Sequence, residues 1–155
     1  MTTKILELLE PSAVKLQVEA KNSTDIVTIL GNLLYDAGYV HDTFVDAALS
    51  RESELPTGLP LEGDYNAAIP HTDVEHVIKP GLALATLISP VKFQNMVIPE
   101  EVVPVQLVIL MALDKPKAQV EMLQEIAGVL QNAQVIKKLM EANIFNDVEV
   151  ALSVT

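Results

Sequence analysis

The chain has 155 residues, half of them apolar, with 21 acids against 10 bases and no cysteine or tryptophan. A formal net charge of −11 without any basic cluster excludes a binder of phosphate backbones. The missing cysteine excludes disulfides, a thiolate nucleophile and cysteine-ligated metal or iron–sulfur centres.

The length suits one domain over residues 1–155, able to bury a core without staples. No apolar run is long enough to cross a bilayer and the N-terminus carries no signal-peptide pattern, so the expectation is a soluble, cytoplasmic protein without direct membrane insertion.

In chain order, Ile5, Leu6, Leu8 and Leu9 form a short apolar cluster that ends before Pro11. Val14, Leu16 and Val18 then alternate with Lys15, Gln17 and Glu19, the period of a half-buried strand. Asn22 or Ser23 caps a helix whose apolar positions (Ile26, Val27, Ile29, Leu30, Leu33, Leu34, Ala37) recur at helical spacing, and Gly38 closes it. Asp42 is the expected cap of a second helix, with Phe44, Val45, Ala48 and Leu49 turned inward, running toward Arg51. Further on, Leu82–Ile88 reads as a strand between Gly81 and Pro90. Val105–Leu113 reads as a strand apolar on both faces, which predicts helices on two sides of a sheet. Lys92–Pro104 is expected as a surface excursion. Helices follow over Pro116–Gln131, Ala133–Glu141 and Asp147–Leu152, with Asn132 and Asn146 as caps of the last two. The alternation of helices and strands, with helices grouped at both ends, predicts an α/β layer structure.

The chemistry concentrates in Ser50–His76, where a loop punctuated by Pro56, Gly58, Pro60 and Gly63 leads into Ala67-Ala68-Ile69 and then Pro70-His71. Pro70 fixes its own φ and biases Ile69 toward extended backbone, so the imidazole of His71 is presented at a strand end with little freedom. Taken alone, that imidazole has three readings: general base, ligand of a metal shared with Asp73 and His76, or nucleophile accepting a phosphoryl group. No nucleophile elbow, phosphate-binding glycine loop or dinucleotide fingerprint accompanies it. Phosphoryl acceptance needs only one free ring nitrogen, a partner for the other, and positive charge or N–H donors for the phosphoryl oxygens, which Arg51 and loop amides can supply.

Val40-His41-Asp42-Thr43, Ser50-Arg51-Glu52-Ser53-Glu54-Leu55-Pro56-Thr57-Gly58 and Ala67-Ala68-Ile69-Pro70-His71 together resemble the enzyme IIA (EIIA) proteins of the bacterial sugar phosphotransferase system, in the fructose/mannitol superfamily and with galactitol-type features. The resemblance implies a single domain with a mixed β-sheet flanked by helices on both faces. It implies phosphoryl transfer from the phosphocarrier HPr to His71, and onward to a cysteine of the cognate EIIB, which phosphorylates the sugar as EIIC transports it. Arg51 would neutralise phosphoryl charge in that scheme, and no cofactor or metal is called for. Mannitol- and fructose-type relatives carry a second active-site histidine roughly where this chain has Lys117; His76 or Lys117 is the candidate replacement. Leu55, Leu59 and Ile69 are candidates for an apolar rim where partners dock. A regulatory phosphoprotein of the same fold, acting by protein binding, is the alternative.

Overall fold

The computed structural model describes residues 3–153. A short helix α1 (Thr3–Leu8) runs directly into strand β1 (Leu9–Val18), followed by helices α2 (Ser23–Asp36) and α3 (Phe44–Glu54). Two two-residue strands, β2 (Gly58–Leu59) and β3 (Ala67–Ala68), and a 3₁₀ turn at Val74–His76 precede the long strands β4 (Gly81–Gln94) and β5 (Val102–Ala112). Helices α4 (Pro116–Leu130), α5 (Ala133–Glu141) and α6 (Phe145–Ser153) complete the chain.

The sheet is mixed, with strand order β1-β4-β5-β3-β2; β1 runs parallel to β4 and β3 parallel to β5, while the β4–β5 and β2–β3 pairs are antiparallel. Side chains alternate across the two central strands and feed two cores. Leu82, Leu84, Leu107, Ile109 and Met111 pack with Ile5, Met122, Ile126, Leu139, Val148 and Leu152 of the terminal helices. Ala83, Ala85, Val108 and Leu110 pack on the opposite face with Ile26, Leu30, Leu34, Phe44 and Ala48 of α2 and α3. Both faces are thus covered, which is why β5 needs an almost unbroken apolar run. Each fully buried Leu or Phe in these layers contributes about 1.5–3 kcal/mol relative to exposure.

Several boundaries depart from the sequence reading for identifiable reasons. Residues Thr3–Leu8 are helical, and β1 starts before Pro11. Pro11 is tolerated because β1 is an edge strand and its register with β4 shifts between Leu9 and Val14. Strand β4 likewise continues past Pro90, which falls in the irregularity between Thr86 and Val91. The expected excursion at Lys92–Pro104 shrinks accordingly to the turn between β4 and β5.

Asn22 and Asn132 cap α2 and α5 as expected. Asp42 does not cap α3: Thr43 holds the N-cap position, without a side-chain capping bond. Asn146 lies inside α6, and Asp147 Oδ2 instead accepts the N–H groups of Asn143 and Ile144. Among the described residues no helix is long and apolar enough to cross a membrane.

Candidate active site

Because β3 and β5 are parallel, their carboxyl ends open on the same edge of the sheet. The segment after β3 carries His71 and the segment after β5 enters α4, so the phosphoacceptor candidate and the first turns of α4 meet there. Binding outside the carboxyl ends of strands is the common site in open α/β sheets. Gln119 joins the two segments, its Nε2 donating to the Thr72 carbonyl over 2.9 Å.

His71 reaches this edge on a backbone with few options. Pro70 has no N–H, yet its carbonyl accepts the Met111 N–H at 3.0 Å, extending the β3–β5 register past the formal strand. The side chain is buried, only 7% exposed, and Nδ1 lies 2.9 Å from the Ile69 carbonyl. A carbonyl can only accept, so Nδ1 carries the proton and Nε2 keeps its lone pair. Burial is the main influence holding the imidazole below its ordinary pKa; the Arg51 guanidinium acts in the same direction, while the Ile69 carbonyl and Asp73 oppose it. The ring is therefore neutral near pH 7 and nucleophilic at one defined nitrogen.

Arg51 comes from the last turn of α3, where a cation complements the helix dipole. Pro56 disfavours helical backbone at Leu55, and the Leu55 N–H closes the helix on the Arg51 carbonyl at 2.6 Å. Nη1 of Arg51 stands 3.6 Å from Asp73 Oδ1, and Nε is buried with no hydrogen-bond partner. Both Arg51 and Asp73 act on the His71 ring, so the fold brings all three groups into one electrostatic neighbourhood.

Glu52, the next residue on α3, clamps the loop. Its carboxylate accepts the Thr57 N–H at 2.9 Å and the Thr57 hydroxyl at 2.8 Å, although burial pushes its pKa up. The Thr57 carbonyl in turn accepts the Ile69 N–H at 3.4 Å. One helix end thus presents the arginine and fixes the strand that presents the histidine. Gly58 has a steric reason to be glycine: an added Cβ would sit 2.6 Å from the Gln94 carbonyl oxygen.

His76 is placed differently. Its Nδ1 lies 2.8 Å from the Thr43 hydroxyl at the start of α3, and its carbonyl accepts the His41 N–H at 3.0 Å. No hydrogen bond among the described residues joins its ring to His71. Lys117 is exposed in the first turn of α4. Among the described residues no group of three or more metal-capable side chains converges, so the reading built on His71, Asp73 and His76 lacks its ligand set. Of the candidate apolar rim, Ile69 is corrected to a core residue, 1% exposed beneath α4 and its neighbours; Leu59 is half-buried, and Leu55 remains exposed. Glu52, named only within its motif, and Gln119 are the site-forming residues to which the sequence reading gave no role. Polar side chains bonding to backbone at those separations leave no periodic trace.

Residues 7–153 match the family model described as the phosphoenolpyruvate-dependent sugar phosphotransferase system, EIIA 2. The chain is 32% identical over 117 residues to the galactitol-specific EIIA component of Escherichia coli (strain K12), covering 76% of this chain and 77% of that protein. Among solved structures, it superposes with a TM-score of 0.75 on enzyme IIA mannitol of Escherichia coli in complex with phosphorylated enzyme IIB mannitol, at 26% identity over 94% of this chain and 96% of that one. A putative phosphotransferase IIA from Streptococcus mutans, 18% identical, shares the fold with a TM-score of 0.78 over 97% of this chain and 92% of that one.

These likenesses make the chain a phosphocarrier domain of the sugar phosphotransferase class. The chain belongs to the EIIA type 2 family, whose members are phosphotransferases that carry the phosphoryl group on a histidine.

Proposed function

We propose that this chain, as one EIIA type 2 domain over residues 1–155, is the cytoplasmic phosphocarrier subunit of a galactitol-type transporter. His71 Nε2 accepts the phosphoryl group from phospho-HPr and passes it to the active cysteine of a cognate EIIB, through which EIIC is served. The observation that carries this reading is the buried, neutral imidazole locked at Nδ1 by the Ile69 carbonyl, beside an arginine with an unpaired buried Nε. Likeness to the galactitol-specific component supports the substrate class, and likeness to the IIA–IIB mannitol complex supports the EIIB partner.

In each transfer the attacking atom takes the phosphorus in line as the bond to the departing atom breaks, and the electron pair returns to the latter. Such loose transition states ask mainly for positioning and charge stabilisation. Arg51 supplies the charge: its planar fork offers donors that match phosphoryl oxygens. His76 is assigned to holding the start of α3, and so the helix that carries Arg51, rather than to contact with the phosphoryl group.

The test is incubation with phosphoenolpyruvate, enzyme I and HPr, read by intact mass. One acid-labile phosphoryl group is expected, absent from His71→Ala; full labelling of that variant would refute the assignment. Arg51→Ala is expected to accept label but transfer it to EIIB more slowly, and unchanged onward transfer would remove Arg51 from the site.

A further inference from the structure

The Arg51 guanidinium is under-satisfied in the unphosphorylated fold. Its contact with Asp73, at 3.6 Å, is longer than a hydrogen bond, and its buried Nε has no acceptor. Asp73 lies two residues beyond His71, its backbone extended at φ −64° and ψ 150°, and its side chain is 71% exposed. Among the described residues it is the one acid at ion-pair distance from Arg51, since Glu52 turns away to Thr57. One cation therefore faces two claimants: the Asp73 carboxylate, and any phosphoryl group on His71 Nε2.

We propose that Asp73 is an internal competitor for Arg51 that makes the phosphorylated His71 a better phosphoryl donor. The inference rests on the function proposed above and deepens it. While Nε2 is free, Asp73 partly neutralises the guanidinium and gives it a resting position. Once the phosphoryl group is bound, its oxygens recruit the Arg51 donors, and Asp73 is left without its counter-ion near a second anion. The lost Asp73–Arg51 pairing and the approach of two anions both disfavour the loaded state, offsetting part of what Arg51 contributes to it. On discharge the N–P bond breaks with its electron pair returning to Nε2 and the partner's thiolate forms the S–P bond. Nδ1 keeps its proton, donated to the Ile69 carbonyl, throughout, and Arg51 falls back to Asp73. A carboxylate at this position thus trades storage of the phosphoryl group for its release. A purely solvated acid would leave the balance unmoved.

The experiment equilibrates the full chain, phosphorylated through phosphoenolpyruvate, enzyme I and HPr and then purified, with an excess of unphosphorylated HPr. Intact mass reads the fraction still loaded. Asp73→Asn, an exposed change that keeps the side-chain shape, is expected to shift the equilibrium toward the loaded chain by about twofold to fivefold, the scale of a solvent-exposed charge pair. Asp73→Glu is expected to bring it back toward wild type. In an Arg51→Ala background the Asp73→Asn shift should shrink to less than about twofold, because the contested cation is gone. A labelled wild type whose equilibrium is unmoved by Asp73→Asn, or moved toward the unloaded chain, overturns this inference alone. A full shift persisting without Arg51 overturns the competition. A wild-type chain that takes no label overturns the proposed function, and this inference with it.

Discussion

Strands β4 and β5 share one long antiparallel ladder, whereas β2 and β3 are two residues each and pair only through Gly58–Ala68 and Leu59–Ala67. The long pair is held by apolar side chains buried on both faces. The short pair is held at its ends by polar side chains reaching backbone: Glu52 on Thr57, and Asn66, which accepts the Leu61 N–H and donates to the Pro104 carbonyl. Yet the short pair positions His71. Stability and placement thus reside in different parts of one sheet, and substitutions in the two parts should have separable consequences.

The largest effect is expected in the ladder. Leu110→Ala removes a fully buried side chain from β5 and should cost about 2–5 kcal/mol in denaturant unfolding, while folded protein at low temperature still takes up one phosphoryl group. Loss of labelling in the folded variant would blur the division. Next comes Gly58→Ala, whose Cβ would press on the Gln94 carbonyl. Displacing β2 should cost about 1–3 kcal/mol and, unlike Leu110→Ala, slow phosphorylation of the folded protein, measured by initial labelling rate.

This division also explains what the sequence could reveal. Periodicity exposes apolar elements, so α2, α4, α5 and the core of β4 and β5 were legible, and the unbroken run in β5 announced helices on both faces. Prolines misled at Pro11 and Pro90, because an edge strand and a bulge absorb a missing N–H that a central regular strand would not. At the site, Pro70-His71 and Arg51 were legible as motifs, and their resemblance to a family joined them across the loop. The Glu52–Thr57 clamp was not, since it forms only where the chain turns out of α3, and neither were the Gln119–Thr72 tie and the Arg51–Asp73 contact, which depend on how two segments cross in space. His76 shows the same limit from the other side. Its proximity to His71 in sequence suggested a shared site, but its ring bonds to Thr43 at the start of a helix.

A smaller, pH-dependent effect should belong to the site rather than the ladder. Burial holds the His71 pKa below its unfolded value, so the unfolded chain binds the proton first as pH falls. The stability contributed by the neutral imidazole is fully present above the unfolded pKa of about 6.5 and drains as pH falls through it toward the folded value. Thermal unfolding of the wild type should therefore lose more stability over that window than unfolding of His71→Gln; parallel curves would contradict the assigned protonation state. The smallest effect is expected for Thr43→Val, which removes the hydroxyl bonded to His76 and should cost about 1 kcal/mol while leaving the extent of labelling at His71 unchanged.

Which nitrogen of which histidine carries the phosphoryl group is read directly by nitrogen and phosphorus NMR of the phosphorylated chain with ¹⁵N-labelled histidine. A single phosphoryl group should be coupled to Nε2 of His71, with Nδ1 still protonated against the Ile69 carbonyl. A phosphoryl group on Nδ1 of that ring, or on His41 or His76, would contradict it.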